Sequence, residues 1–290
     1  MKQLTAATRA RYFRRQLVDR IMGGLCIAAA GAGLILLALI LWMLFSNGLA
    51  GLSLDVFTKP MSQPGSGGGL ANAIVGSLLQ VGVGAMIGAP LGMMVGVYLS
   101  EVGKESRFAS IVRFVNDILL SAPSVLIGLF VYQIAVLPFG GFSGLAGAIA
   151  LALIAMPIVA RTTEDILRLV PQAYRDGAIA LGSRENEVVR KVVLPAAFGG
   201  ILTGVLLAVA RIAGETAPLL FTSLGNDIWS TDMTQPMASL PMAIVRYSNT
   251  PYPEWVSLAW TGAMLITVGV LVLNIASRFS YAAVAGKQGG

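Results

Sequence analysis

The strongest candidate for chemistry is an arginine four residues before a glutamate, Arg211 and Glu215, in a stretch (residues 195–222) with no other charge. A guanidinium stays charged at any physiological pH and offers a planar fork that matches two oxygens of a tetrahedral anion. Glu215, one helical turn on, can neutralise that fork when no anion is bound, and it can accept a proton. Arginine before glutamate is the less favourable order for a purely stabilising helix bridge, which favours reading the pair as part of an anion path. Arg211 lies 16 residues past Pro195, roughly 24 Å along a helix at 1.5 Å per residue. That is too deep for its head group to snorkel easily back to the nearer water. Arg113 and Asp117 share the four-residue spacing and read either as part of the same path or as a structural pair at the membrane edge. Arg161, where another apolar run ends, is a further path residue or an ordinary basic anchor.

Bond-making chemistry has little support. The chain has no histidine and one cysteine, Cys26, inside an apolar run, so neither a metal site nor a disulfide framework is expected, and no cofactor. His-Glu-x-x-His and Gly-x-Ser-x-Gly patterns are absent, and Gly103-Lys104-Glu105 lacks the spacing and hydroxyl of a nucleotide-binding loop. The chain is therefore not expected to be an enzyme or to hydrolyse ATP.

The elements that must position these charges are membrane spans. Hydrophobic residues make up 56% of the 290, charged residues 12%, and mean hydropathy is +0.78. Soluble domains carry roughly 25% charged residues, so the fold class is an all-α polytopic transmembrane bundle. A basic segment, residues 1–20, precedes a first span at 21–45, which is too long for the apolar core of a signal peptide. A Gly/Ser/Pro-rich loop covers 46–70, and a second span runs from 70 to 100. The uncharged stretch 118–160 divides at Pro138-Phe139-Gly140-Gly141 into spans three and four. Span five runs from Pro195 to about Thr222, and span six covers 255–277, after a mixed loop that holds a short helix near 238–247. The transmembrane domain thus covers 70–278, with a polar loop at 161–192 and a tail at 279–290, and the spans number six.

Lys and Arg set the orientation. With the N-terminus inside, 17 of the 20 basic residues fall on the cytosolic side, leaving Lys59 and Arg246 outside and Arg211 within span five. Both termini are then cytosolic. The +6 net charge is accounted for by these loops, and no nucleic-acid partner is implied. Gly84, Gly88, Gly92 and Gly96 stack on one face of span two, where another helix can approach closely. Gln80 continues that stripe and either packs with it or lines a pore. Pro90 is expected to kink the span.

The polar loop carries a docking pattern. Pro171 suits the first turn of a helix running to Leu181, and Gly182 supplies a left-handed stop. Ser183 is placed to cap a second helix whose Glu185 and Glu187 lie near its start and Arg190 and Lys191 near its end. Pro195 restarts the chain as span five. Tyr174, Gly177 or Ala178, and Leu181 share one face of the first helix, either seated in a groove on a partner or resting on the membrane surface.

Asp176-Gly177-Ala178, three residues, Gly182, and twelve residues to Pro195 resemble the signature loop of type I ABC importer permeases. Asp176 and Gly177 stand where that family has Glu and Ala, and Val192 where it has Ile. The stretch from Arg211 through Gly214-Glu215-Thr216-Ala217-Pro218 to Phe221 is similar to the fifth span of phosphate-importer permeases of the PstA type. So is Asp117-Ile118-Leu119-Leu120-Ser121-Ala122-Pro123-Ser124. The resemblance covers about 70–290 and implies a type I importer permease in the bacterial inner membrane. The implied partners are a second, similar permease subunit in a heterodimer, two copies of an ATPase, an external phosphate-binding protein and the lipid bilayer. A sulfate or molybdate permease, or a self-sufficient secondary transporter, is the alternative.

Overall fold

A computed structural model describes the backbone over residues 6–103 and 106–288 and side chains over 12–103 and 106–276. The start of the basic segment, through residue 5, and the last two residues of the tail lie outside the described residues. Every regular element among the described residues is helical.

Helix α1 spans Ala6–Ala50, about 68 Å of helix by its 45 residues. It therefore outruns the expected first span at both ends. It stands clear of the bundle along most of its length and meets it at one end. There Gly48 and Gly51 press on the last helix so closely that a Cβ on Gly48 would lie 2.7 Å from Met264 Cβ. The loop that follows is not open. A short helix, α2 (Leu54–Thr58), buries Val56, and Leu70 N–H donates to its carbonyl at 2.9 Å.

Two helices carry the core. α3 (Ala71–Val97) ends in a π-helical turn, Tyr98–Val102. α4 (Arg107–Ser121) and α5 (Ser124–Val131) follow, then a second π turn, Tyr132–Val136. α6 (Gly144–Arg168) comes next. A Cβ added at Gly84, Gly88, Gly92 or Gly96 would strike the carbonyls of Ala148, Ala152, Met156 and Ala160 at 3.0, 2.8, 2.6 and 2.6 Å. The glycine stripe therefore packs inside the subunit, backbone against backbone. Both residue series rise together, so α3 and α6 run parallel.

Parallelism settles how the chain crosses between them. After α3 the chain must return to the end where α6 begins, and α4, α5 and the π turn make that return. They bend by 105° between Ser121 and Ser124, at Pro123, where a straight third span was expected. Counting that bent pair as one crossing, with the five long apolar helices, gives six. The division at residues 138–141 is present as a turn with Gly140 at φ 80°.

α7 (Gln172–Ala180) and α8 (Glu185–Val188) form the polar loop, and a third π turn, Val189–Val193, leads into α9 (Leu194–Ile212). Pro195 does not restart the chain, because the helix is continuous from Glu185 to Ile212. A proline ring collides with the carbonyl four residues back, and the wider π turn just upstream opens room there. Span five is shorter than expected. It stops at Ile212, and α10 (Ala217–Thr222) is a separate short helix crossing α5. The crossing is tight at Gly128, where a Cβ would lie 2.7 Å from Pro218 Cα.

α11 (Leu240–Ser248) occupies the mixed loop. Its Tyr247 stacks on Trp255 at 4.5 Å, and burial, helped by the charge of Asp227, pushes the pKa of its hydroxyl up to about 12. α12 (Pro253–Gln288) packs on α9, α11 and α1, and it carries the backbone of the expected tail on as helix. The bundle thus has a basic end, holding the π turn 98–102, α7 and α8, and a far end holding α2, α10 and α11.

Candidate functional site

At the far end of α9 the chain leaves the helix through residues 213–216, and Glu215 folds back. Its Oε1 lies 2.6 Å from Arg211 Nη1, so the expected pair exists, but as a helix-end clasp and not as a bridge along one helix. The two partners differ sharply in exposure: the Arg211 side chain is 63% exposed and that of Glu215 only 6%. Glu215 Oε1 has no well-aligned hydrogen bond beyond this ion contact. The carboxylate is buried and held by one cation, whose other face is open.

Arg161 sits on α6, with Nη1 3.6 Å from Asp117 on α4 and Nε 3.3 Å from Asp165. All three side chains are about half exposed. Gly204 of α9 abuts Thr162, so Arg211, seven residues further on, lies roughly 10 Å nearer the far end. The two arginines are thus on neighbouring antiparallel helices at different depths, not in one contact.

The Arg113–Asp117 pair is not formed. Arg113 Nε instead donates to Glu164 on α6 at 2.8 Å, and its Nη2 donates to Leu99 O at 2.8 Å. Arg168 closes on the same Glu164, whose side chain is 3% exposed. A buried acid between two arginines is worth more to each than an exposed neighbour one turn away, so tertiary partners displace the local one. Gln80 does not line a pore. It is fully buried, donating to Gly76 O and Ala238 O, and its Oε1 points at Gly147.

The docking loop takes its expected shape with four changes. Gly182 has φ 88°, and Ser183 N–H closes on Ala178 O at 3.1 Å, which ends α7. Tyr174, Asp176, Gly177 and Leu181 are exposed, with Leu181 at 89%, and nothing lies within 4 Å of a Cβ added at Gly177. Ala178 turns inward instead, against the cluster of Leu167, Val170, Val188 and Val193. The residue capping α8 is Arg184, whose N–H donates to Glu187 Oε2 at 3.4 Å, so Ser183 does not cap it. Pro195, expected at a boundary, lies within a continuous helix.

The fourth change is a residue that spacing did not single out. Arg175 is the one buried residue of α7, and it reaches Glu101 on the π turn after α3 with Nη2–Oε1 2.8 Å and Nε–Oε2 3.2 Å. The two are 74 positions apart, so no periodicity joins them. Their only trace in the sequence is an acid and a base each placed where a span meets the polar side.

A family model described as binding-protein-dependent transport system inner membrane component matches residues 88–288, more than half of the chain. The chain belongs to that family. It is a membrane transport subunit and not an enzyme, of a kind that works with an ATPase and a binding protein. A protein of Haemophilus influenzae named phosphate transport system permease protein PstA is 50% identical over 93% of this chain and 96% of its own length. A Yersinia pestis protein of the same name is 51% identical over 84% of each. The inward-facing MetNI methionine ABC transporter aligns with TM-score 0.59 at 19% identity, over 73% of this chain and 93% of that one. That likeness concerns the fold.

Proposed function

We propose that this chain is the permease subunit of an ATP-driven importer of inorganic phosphate, with α7 receiving the ATPase and Arg211 on the anion path. The observation that carries the path is the exposure of Arg211. Its guanidinium lies at mid-depth of an apolar bundle with more than half of its side chain uncovered. Lipid cannot meet a charge there without a cost of several kcal/mol. The open face must then turn to a water-filled passage or to a second subunit lining one.

A tetrahedral oxyanion arriving there would take two N–H donors of the Arg211 fork, drawing them from Glu215. Hydrogen phosphate still carries a proton that the released carboxylate can accept in a hydrogen bond, whereas sulfate carries none and meets repulsion. The names of the relatives support phosphate. An external binding protein would supply most of the selectivity, and Arg161 would extend the path toward the basic end. That end faces the cytosol in this reading, with both termini inside and the basic loops following the positive-inside rule. A heterodimer with a similar permease and two ATPase copies complete the machine.

The test is uptake of radiolabelled phosphate by proteoliposomes containing the assembled complex. Arg211→Gln is expected to abolish uptake with all subunits present, and Arg211→Lys to fall between, because the charge survives and the fork does not. Sulfate uptake matching phosphate uptake in the parent complex would replace the substrate assignment.

A further inference from the structure

Arg175 is enclosed by acceptors. Beyond the two contacts to Glu101, its Nη1 donates to Val170 O at 2.6 Å and its Nη2 to Leu167 O at 3.0 Å. Both side chains are nearly sealed, at 10% and 4% exposure. The rest of α7 is exposed or half-buried, so this arginine is the principal anchor of the helix to the bundle.

What it is anchored to matters. Leu167 and Val170 belong to the end of α6 and the linker after it, and Glu101 belongs to the π turn that ends α3. The same turn offers Leu99 O to Arg113 of α4. A π turn widens the helix by one residue and re-aims the side chains on it, and here it presents Glu101 to α7 and Leu99 O to α4. Upstream of this node, α3 and α6 are locked together by the glycine seam, which leaves no room for one to slide on the other.

We infer that Arg175 and Glu101 are positioning residues that make α7 and the α3–α6 pair one rigid body. A displacement of α7 then reaches the spans by two routes. One is the continuous rod from Glu185 to Ile212. The other runs through the ion pair into span two, which has no direct covalent link to α7, whereas span four is joined to α7 by the short linker 169–171. This rests on the reading of α7 as the ATPase-docking helix.

The test uses the whole complex in proteoliposomes with Cys26→Ser, so that introduced thiols are the only ones in this subunit. In Glu101→Cys/Arg175→Cys the ion pair is lost, and phosphate taken up per ATP hydrolysed is expected to fall roughly tenfold, within the range of ordinary coupling free energies. Bridging the two thiols with a short bifunctional methanethiosulfonate is expected to restore it, and dithiothreitol to remove it again. Arrest of uptake by the bridge would show that the two elements must move apart, and would overturn the inference. So would normal coupling without the bridge.

Where the double variant does not assemble, spin labels on Gln172→Cys and Val102→Cys leave the pair intact. Their separation is expected to be the same in nucleotide-free and ATP-trapped complexes, and a shift of several ångströms contradicts a rigid body. Failure of the docking reading itself would look different: Gly177→Trp on the exposed face of α7 would then leave ATPase binding in a pull-down unchanged.

Discussion

Two arginine–glutamate pairs in this subunit are nearly equal in length and opposite in character. Arg175–Glu101 is closed on both sides and saturated by backbone carbonyls, while Arg211–Glu215 pairs a buried acid with a base that is mostly uncovered. A closed pair is shielded from an incoming ligand, and breaking it strands a buried charge. A half-open pair can trade one partner for an incoming anion at little cost. The difference assigns the first to holding the bundle together and the second to handling a ligand, and substitutions should separate the two roles.

The largest loss is expected at neither pair but in the glycine seam between α3 and α6. Gly88→Leu or Gly92→Leu places a side chain where even a methyl would lie 2.8 or 2.6 Å from a carbonyl. Neither variant should yield folded subunit when purified in detergent, and normal recovery of both would undo the account of the core. Arg175→Leu comes next, costing about 3–5 kcal/mol as one partner of a buried pair is removed. The expected readout is a markedly lower unfolding temperature together with poor coupling. Arg211→Gln should lower that temperature less, because the shorter amide can still donate toward the buried Glu215 carboxylate. Arg211→Gln/Glu215→Gln, which removes the buried charge as well, should leave it nearly unchanged. If Arg211→Gln destabilises as much as Arg175→Leu, the distinction between the pairs fails. The smallest change in stability belongs to the docking face. Gly177→Trp starts from a Cβ with nothing within 4 Å on an exposed helix face, so it should alter neither folding nor insertion while still weakening ATPase binding in a pull-down.

Much of this was legible in local pattern. The number of spans, the glycine stripe, the stop at Gly182 and the short helix α11 follow from hydropathy, periodicity and residues with strong backbone preferences. What failed involved competition over distance. Arg113 and Asp117 have the right spacing to pair, yet packing sets Arg113 against the buried Glu164 of α6 and leaves Asp117 beside the half-exposed Arg161. Pro123 was visible as a residue, but the 105° turn it permits depends on α10 packing across α5. Pro195 reads as a boundary only if the turn before it is α-helical, and here that turn is a π turn. Arg175 and Glu101 could have been noted as opposite charges at two span ends, though nothing local joins them.

The central claim is that Arg211 contacts the transported anion and does not merely brace the helix end. It is tested most directly by phosphate uptake and thermal unfolding measured on the same assembled Arg211→Gln complex. The account predicts uptake at background from an assembled complex that unfolds at a higher temperature than the Arg175→Leu complex. Wild-type uptake would contradict it, leaving the pair a structural clasp.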